Sequence, residues 1–404
     1  LCFPWAFQPH GLKLTKHVIN LLTPEDTAVA FRPVGAVDPP PGGGTPSKPT
    51  TSGNPRAVAR ELREASCGTH ARRVFLIANP KSGSGKATKV VPWIERFLRS
   101  TELAEVTVHY TRHRGDAREV VGALDLKLYD ILCIAGGDGL IQEVINGLVK
   151  DHASFDPSKL TLGVLPLGSS NSLACSTGVF TVEQTLQRLV YPKADFRTDL
   201  MKVTQHGGPH EVRLDVFAGA EEAAANVLYT TCAVAYGVMG KTAVESENNR
   251  WMGPVRYAVE AFKLVVLGPP CPHGHLKWTT VGGEEGAYQG PLPICLATAH
   301  NAAVSQFPEG CAAPRGAVGD GGIELMFKKT RLSRVRLLRI LSDMGKGTHL
   351  DNSGNGIVRY HVEKFSLTPV NGGPRLGCPV ALDGEPGGEA SLEVTVCVRM
   401  IRMI

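Results

Sequence analysis

The sequence predicts an α/β region with a mostly parallel sheet at about 71–192, followed by an antiparallel β-sandwich at 193–404. Three observations carry that expectation. Short apolar runs at 74–78, 106–110, 131–135 and 162–165 have strand composition, and each breaks into small or polar turn residues. Helical spacing resumes after those turns as far as about 192. Beyond 193 the pattern is strand-rich, and Gly and Pro turns divide it into short runs. Residues 1–70 form an extension with neither pattern, and 33–55 is a Pro/Gly/Thr/Ser-rich linker.

With 404 residues, the chain is long enough for two packed domains and an extension. Its 43% apolar and 20% charged composition is that of a water-soluble globular protein. A net charge of +5 is too mild to imply a nucleic-acid partner, although it leaves room for basic patches that face phosphates or an anionic membrane. The ten cysteines contain no CxxC pair, so neither a zinc site nor a disulfide framework is encoded. Cys133 and Cys295 sit in apolar runs and read as reduced core residues, which points to the cytosol. No apolar run is long enough to span a bilayer, and the apolar start is broken by Pro4 and Pro9, unlike a signal peptide.

Taken in order, 12–31 holds one or two short elements, and 57–67 looks helical, with Val58, Leu62 and Ala65 on one side. The strand at 74–78 enters Asn79-Pro80-Lys81-Ser82-Gly83-Ser84-Gly85-Lys86, then a helix to about Arg99. This is not a Walker A loop, because Ala87 follows Lys86 and Pro80 occupies the first glycine position. It is either a flexible turn or a backbone cradle for phosphates. The strand at 106–110 ends in Thr111 to Asp116 and leads to a helix at 117–123.

The chain is organised around 129–148. An apolar strand there meets Gly136-Gly137-Asp138-Gly139, after which Leu140, Val144, Ile145 and Leu148 recur with helical period. A strand that breaks into glycines and opens a helix presents bare N–H groups, a seat for phosphate. It is not a dinucleotide fingerprint, because Gln142 stands at the third glycine position. Asp138 places a carboxylate where phosphate charge collects. That suits a metal ligand, or a base that takes a proton from an attacking hydroxyl. The strand at 162–165 leads into Gly168-Ser169-Ser170-Asn171-Ser172, which fails as an esterase elbow because Ser172 replaces glycine.

In the second half, strands are expected at 198–204, 211–217, 228–235, 274–280, 292–299, 322–327, 356–369, 380–382 and 391–400. Helices are expected at 254–267 and 330–344. The second of these sets Leu337, Leu338, Ile340, Leu341 and Met344 against Arg331, Arg336 and Arg339.

The ordered series Asn79 to Lys86, Gly136 to Gly147 and Gly168 to Asn171 resembles the diacylglycerol-kinase-type lipid kinases. Glu245-Ser-Glu-Asn-Asn-Arg-Trp-Met-Gly-Pro-Val-Arg256, Cys311-Ala-Ala-Pro-Arg, Gly345-Lys-Gly-Thr-His and Leu382-Asp-Gly-Glu385 are closer still to sphingosine (long-chain-base) kinases. The resemblance runs from about residue 70 onward. It implies a two-domain enzyme that binds ATP in the interlobe cleft and holds a lipid in the sandwich half. With Mg2+, such an enzyme transfers the γ-phosphoryl group to a lipid primary hydroxyl, acting in the cytoplasm at a membrane surface. The resemblance makes Asp138 the base. It gives the nucleotide to Asn79, Pro80, Lys81, Ser82, Gly83, Gly85, Thr111, Gly136, Gly137, Gly139, Glu143, Gly168, Ser169, Ser170, Arg250, Arg256, Asp383, Gly384 and Glu385. Asp383 and Glu385 would also face the metal, and the helix carrying Phe262 would gate the lipid channel. From the residues alone, Asp383-Gly384-Glu385 is a hairpin turn.

One departure bears on the acceptor. Sphingosine kinases carry an acid two places before their Glu-Ser-Glu, where it pairs with the substrate ammonium, and Ala243 stands there in this sequence. Either Glu245 serves instead or the acceptor has no free amine, as in ceramide kinases. A sphingoid base is the first expectation and ceramide the second. A soluble-substrate kinase of the NAD-kinase type and an inactive lipid-binding homologue follow. The sequence does not define the oligomeric state.

Overall fold

The computed structural model describes residues 71–100, 104–151, 160–190, 196–206, 226–252, 255–304, 307–373 and 375–404. The elements expected at 12–31, 57–67 and 211–217 and the linker at 33–55 lie outside the described residues.

Four strands form a parallel sheet in the order β2-β1-β3-β4: β1 (Arg72–Ala78), β2 (Ala104–Tyr110), β3 (Ile131–Gly136) and β4 (Thr161–Pro166). Alternate residues of β1 enter different cores, as strand geometry requires. Val74 and Leu76 pack with Val91, Ile94 and Phe97 of α1 (Ala87–Ser100). Phe75 and Ile77 pack with Val121 of α2 (Asp116–Gly122) and with Ile141, Val144 and Ile145 of α3 (Asp138–Asp151). Burial on both faces explains why β1, β3 and β4 read as continuous apolar runs, whereas the edge strand β2 alternates. The chain winds outward from β1 to β2 and then returns past β1 to β3. The carboxyl ends of β1 and β3 therefore flank a crevice where the winding reverses.

Two short helices, α4 (Ser172–Ser176) and α5 (Val182–Val190), lead to the antiparallel half. Its strands are β5 (Phe196–His206), β6 (Asn226–Thr230), β7 (Ala233–Gly237), β8 (His273–Thr280), β9 (Glu285–Pro291), β10 (Ile294–Thr298), β11 (Ala303–Val304), β12 (Phe307–Cys311), β13 (Ile323–Lys328), β14 (Ile357–Thr368), β15 (Ala381–Leu382), β16 (Glu385–Pro386) and β17 (Ser391–Met403). One layer is β16-β15-β7-β10-β13, and the other is β9-β8 with β17, β5 and β6. The twelve-residue β14 passes between them, pairing with β13 up to Val362, with β8 from Val362 and with β17 from Lys364 onward. Tyr236, Trp278, Phe327, Phe365, Met201 and Val394 fill the space between the layers. Helices α6 (Val238–Ser246), α7 (Val255–Leu267) and α8 (Arg334–Met344) cover the outer face of the first layer through Val238, Leu264, Ile294, Leu337 and Ile340.

The structure departs from expectation in several places. The run at 228–235 is two strands, because Thr231 and Cys232 turn their backbone N–H groups toward the Asp383 carboxylate. Helix α6 and strand β9 had no clear signal in the sequence. Strand β17 continues to Met403, where Arg402 and Met403 pair in parallel with Thr161 and Leu162 of β4. The two halves thus share one continuous sheet. All the cysteines among the described residues are free thiols, as expected, and no described helix is long and apolar enough to cross a membrane.

Asn146 of α3 also joins the halves. Its buried side chain donates to the Tyr229 carbonyl (2.8 Å) and accepts the Tyr229 N–H (3.0 Å). Asn146→Ala leaves both backbone groups of β6 without this partner. We expect it to lower unfolding free energy by about 1–3 kcal/mol in denaturant titration.

Candidate active site

The crevice gathers turns from three strand ends and the residue after a fourth. Asn79 donates its N–H to the Ala135 carbonyl (3.2 Å), and its side chain accepts the Lys81 N–H (2.9 Å), which folds the Pro80 turn back over β3. Ser82–Gly85 is a single helical turn. Within it Gly83 has φ +61, and a Cβ there would lie 2.9 Å from the Leu167 carbonyl oxygen. Thr111 follows β2 on the same edge, its N–H held by the Ala78 carbonyl (2.9 Å). Gly136 ends β3. The backbones of Gly137 and Gly168 touch so closely that a methyl group on Gly137 would sit 2.9 Å from the Gly168 Cα. Asn171, itself left-handed at φ +55, closes this loop by accepting the Gly168 N–H (2.7 Å) and donating to its carbonyl (3.0 Å). Ser169 is exposed and Ser170 half-buried beside them. Small residues and backbone N–H groups converging at helix starts suit an anionic ligand.

Acidic side chains line the same place. Asp138 opens α3, and its carboxylate accepts the N–H groups of Ser172 (3.0 Å) and Leu173 (3.3 Å) at the start of α4. The Cys232 thiol lies 3.6 Å away. Burial pushes the Asp138 carboxyl above the usual range, against the pull of these donors. Asp383 comes from the sandwich, at φ +52. One of its oxygens accepts the Thr231 N–H (2.8 Å), the Thr231 hydroxyl (3.2 Å) and the Gln142 amide (3.3 Å). The other accepts the N–H groups of Cys232 (2.8 Å) and Ala233 (2.9 Å). Burial, with a further push from the charge of Asp138, raises the Asp383 carboxyl to about 6 despite those bonds.

Past the Gly384 turn (φ +88), Glu385 accepts from Arg114 (2.8 Å) and stands over Gly139, whose added Cβ would be 3.6 Å from Oε1. Glu143, further along α3, is raised by burial and held by the N–H groups of Gly115 and Ala117, with Arg114 nearby. The loop that supplies Arg114 is anchored by Asp116. Burial works to raise that carboxyl, but His109 and Arg112 together bring it down to about 2.

Sequence reasoning missed Gln142, Arg114, Thr231, Cys232 and His300 as parts of this site. Asn171 had a signal, since it closes the small-residue turn. His300 had none, because it is one imidazole in an apolar run. It is fully buried, accepts the Ala302 N–H at Nδ1 (2.9 Å) and lies 2.9 Å from the Ser176 hydroxyl. Burial lowers it to about 4, and the ring also meets the Thr231 backbone. Helix α4 therefore touches Asp138 with its first residues and His300 with its last, while Thr231 touches both His300 and Asp383.

The other five expected residues are occupied, turned outward, packed in a core cluster or outside the described side chains. Arg256 pairs with Glu247 (3.0 Å) and the Tyr257 hydroxyl (2.8 Å), and the side chain of Arg250 lies outside the described residues. Glu245 is bound to Lys241 (2.8 Å), one helical turn away, so its charge is already matched. Phe262, expected to face the lipid, is 65% exposed, whereas Leu264 on the opposite side of α7 is 3% exposed and packs inward. Ala243 sits in a cluster with Ala235, Leu296, Ala313, Met326 and Ala381.

Residues 73–230 match the diacylglycerol kinase catalytic domain. In fold, the chain is similar to a putative diacylglycerol kinase from Bacillus anthracis (TM-score 0.57, 16% identity, covering 83% of this chain and 98% of that one). Residues 73–230 thus belong to the diacylglycerol kinase catalytic domain family. The chain's curated relatives narrow the class. It is 27% identical to rat sphingosine kinase 1 over 74% of this chain and 83% of the relative, and 26% identical to the human enzyme over the same shares. It is 31% identical to sphingoid long chain base kinase 5 of Saccharomyces cerevisiae over 48% of this chain and 26% of the relative. Together these likenesses make the protein a lipid kinase that is similar to the sphingosine kinases.

The Asp383 carboxyl titrates near 6 in the fold and near its ordinary 3.8 when unfolded. Its protonation therefore favours the fold, a contribution that is whole below about pH 4 and lost as pH rises through about 6. Denaturant midpoints of the wild type are expected to decline across that window, and Asp383→Asn should flatten the decline. Equal slopes in the two proteins would show that Asp383 does not titrate there.

Proposed function

We propose that the protein transfers the γ-phosphoryl group of ATP to the primary hydroxyl of a sphingoid base, giving the 1-phosphate. The observation that supports this best is the Asp138 carboxylate at a phosphate-type glycine turn. It is held by two helix-start N–H groups and has its pKa raised by burial. A carboxylate raised toward neutrality is suited to accept a proton from an alcohol. Asn79, Pro80, Lys81, Ser82, Gly83, Gly85, Thr111, Gly136, Gly137, Gly139, Gly168, Ser169 and Ser170 form the nucleotide side. Glu143 and Glu385 fix Arg114 at its edge, and Arg250 and Arg256 are the cations that the resemblance adds.

Mg2+ fits the acidic residues. Two carboxylates whose pKa values are both raised, one of them partly by the other's charge, form an arrangement that a divalent cation relieves. Asp383 and Glu385 would hold the ion, whose chemistry is to neutralise charge on the transferring phosphates. Asp383 already serves five protein donors, so its part is to supply charge in a fixed place.

The acceptor's ammonium is one carbon from its reacting carbon, which places it close to Asp138 and its partner Asp383. That supplies counter-charge without an acid at Ala243. The alkyl tail is then assigned to the sandwich side, where Ala235, Ala243, Ala313 and Ala381 belong to one cluster of small and apolar residues. On this reading the catalytic domain spans 71–192 and the lipid-binding domain 193–404. On α7, Val255, Phe262 and Val266 are exposed at spacings of seven and four residues, and Trp251 is exposed ahead of the helix, which gives apolar surface suited to peripheral contact with the cytoplasmic side of a membrane.

Radiolabelled ATP offered with sphingosine, ceramide and diacylglycerol in mixed micelles tests the acceptor. Label is expected in sphingosine, and label in ceramide alone would overturn the assignment. Asp138→Asn is expected to lower kcat by about a thousandfold or more while nucleotide binding persists. Activity of the wild type should fall on the acid side through an apparent pKa above the ordinary aspartate range, and Asp383→Asn should move that limb to lower pH.

A further inference from the structure

At the far end of the sandwich, away from the crevice, lies a cavity of about 330 Å3 lined by Lys328, Thr330, Arg331, Ser333, Arg336, Gly354 and Gly356. Its volume is at the lower end of the roughly 300–1,000 Å3 that holds small ligands. The lining carries three cations and no acid. Lys328 is only 4% exposed and spends one N–H on the Asn355 carbonyl (2.8 Å). Among the described residues, no carboxylate pairs with Lys328, Arg331 or Arg336. A lysine buried to this degree without a counter-ion is uncommon. Burial, and then the charge of Arg336, lower the Lys328 pKa.

Two further features shape the cavity for an anion. Ser333 caps α8, an eleven-residue helix with no acid in its first turn, so the positive end of the helix adds to the same field. Glycines form the opposite wall. A Cβ at Gly356 would lie 3.0 Å from the Lys328 ammonium, and one at Gly354 would lie 3.6 Å from Arg336 Nη1. Side chains at either position would crowd the space that the cations face. On the outer side of the same helix, Val335 (72% exposed) and Leu338 (52% exposed) point to solvent, and α8 packs against α7 with its own exposed apolar face.

We propose that Lys328, Arg331 and Arg336, with the start of α8, form a binding site for a phosphate-bearing anion, separate from the catalytic crevice. The phosphate comes either from the headgroup of an acidic phospholipid, with Val335 and Leu338 against its acyl region, or from a small phosphorylated solute. This inference does not depend on which lipid the enzyme phosphorylates.

The test uses the full chain, with inorganic phosphate as the probe in calorimetry and vesicles in sedimentation. The vesicles are phosphatidylcholine with or without phosphatidic acid. The variants are Lys328→Met and the more conservative surface pair Arg331→Ala/Arg336→Ala, so that a folding defect in the first leaves the second informative. Saturable phosphate binding, weakened about tenfold or more in the surface pair, is expected. Sedimentation that needs phosphatidic acid, is competed by phosphate and is lost in the variants assigns the site to a headgroup. Phosphate binding lost in the variants with sedimentation unchanged assigns it to a solute. No phosphate binding by the wild type, or binding unchanged in the surface pair, overturns the proposal. Turnover of micellar sphingosine, measured in parallel, reports on the catalytic assignment alone.

Discussion

The arrangement depends on one buried anion, the carboxylate of Asp383. It sits at the tip of a two-residue hairpin in the sandwich and draws donors from both halves of the molecule: the Thr231, Cys232 and Ala233 amides and the Gln142 side chain. A charge this far from water persists only when donors satisfy it, and each donor is fixed in turn by the strand or helix that bears it. The bond from Gln142 is the interlobe one. It lies on the same stripe of α3 as Asp138 and Asn146, four residues to either side. One helix thus presents the proposed base, a tie to the sandwich hairpin and a tie to β6 in successive turns.

Around that anion hydrogen bonds run in two chains. Asp138 holds the first residues of α4, whose last residue, Ser176, meets His300, while Thr231, packed near the same imidazole, holds Asp383. Each link is modest in net free energy, but together they tie each carboxylate to more than one element. Burial keeps His300 neutral, so its geometry does not change when pH varies near neutrality.

What could be read in the sequence follows from how local each signal was. The turn at Asp138 was legible because strand, glycines and helix are adjacent, and the buried strands because both their faces are apolar. Asp383 looked like a hairpin turn because its donors at 231–233 lie about 150 residues away in the chain. The break at Thr231 and Cys232 was invisible for the same reason: the apolar run continues through it, and only the distant carboxylate gives those amides a reason to leave the strand. Phe262 belonged to a helix that was correctly expected. Which side of that helix faced inward depended on the β10 and α8 residues it packs against, Ile294 and Leu337 among them.

The strand Ser391–Met403 belongs to both halves, since it lies in the sandwich and its end completes the parallel sheet beside β4. During synthesis β4 emerges long before that partner. Until it arrives, Thr161 and Leu162 present an unpaired apolar edge of the kind that recruits other chains. The parallel-sheet half is therefore a poor candidate for an autonomous folding unit. Removing the last few residues of this strand would leave the antiparallel half largely formed while exposing the sheet that carries the glycine turns.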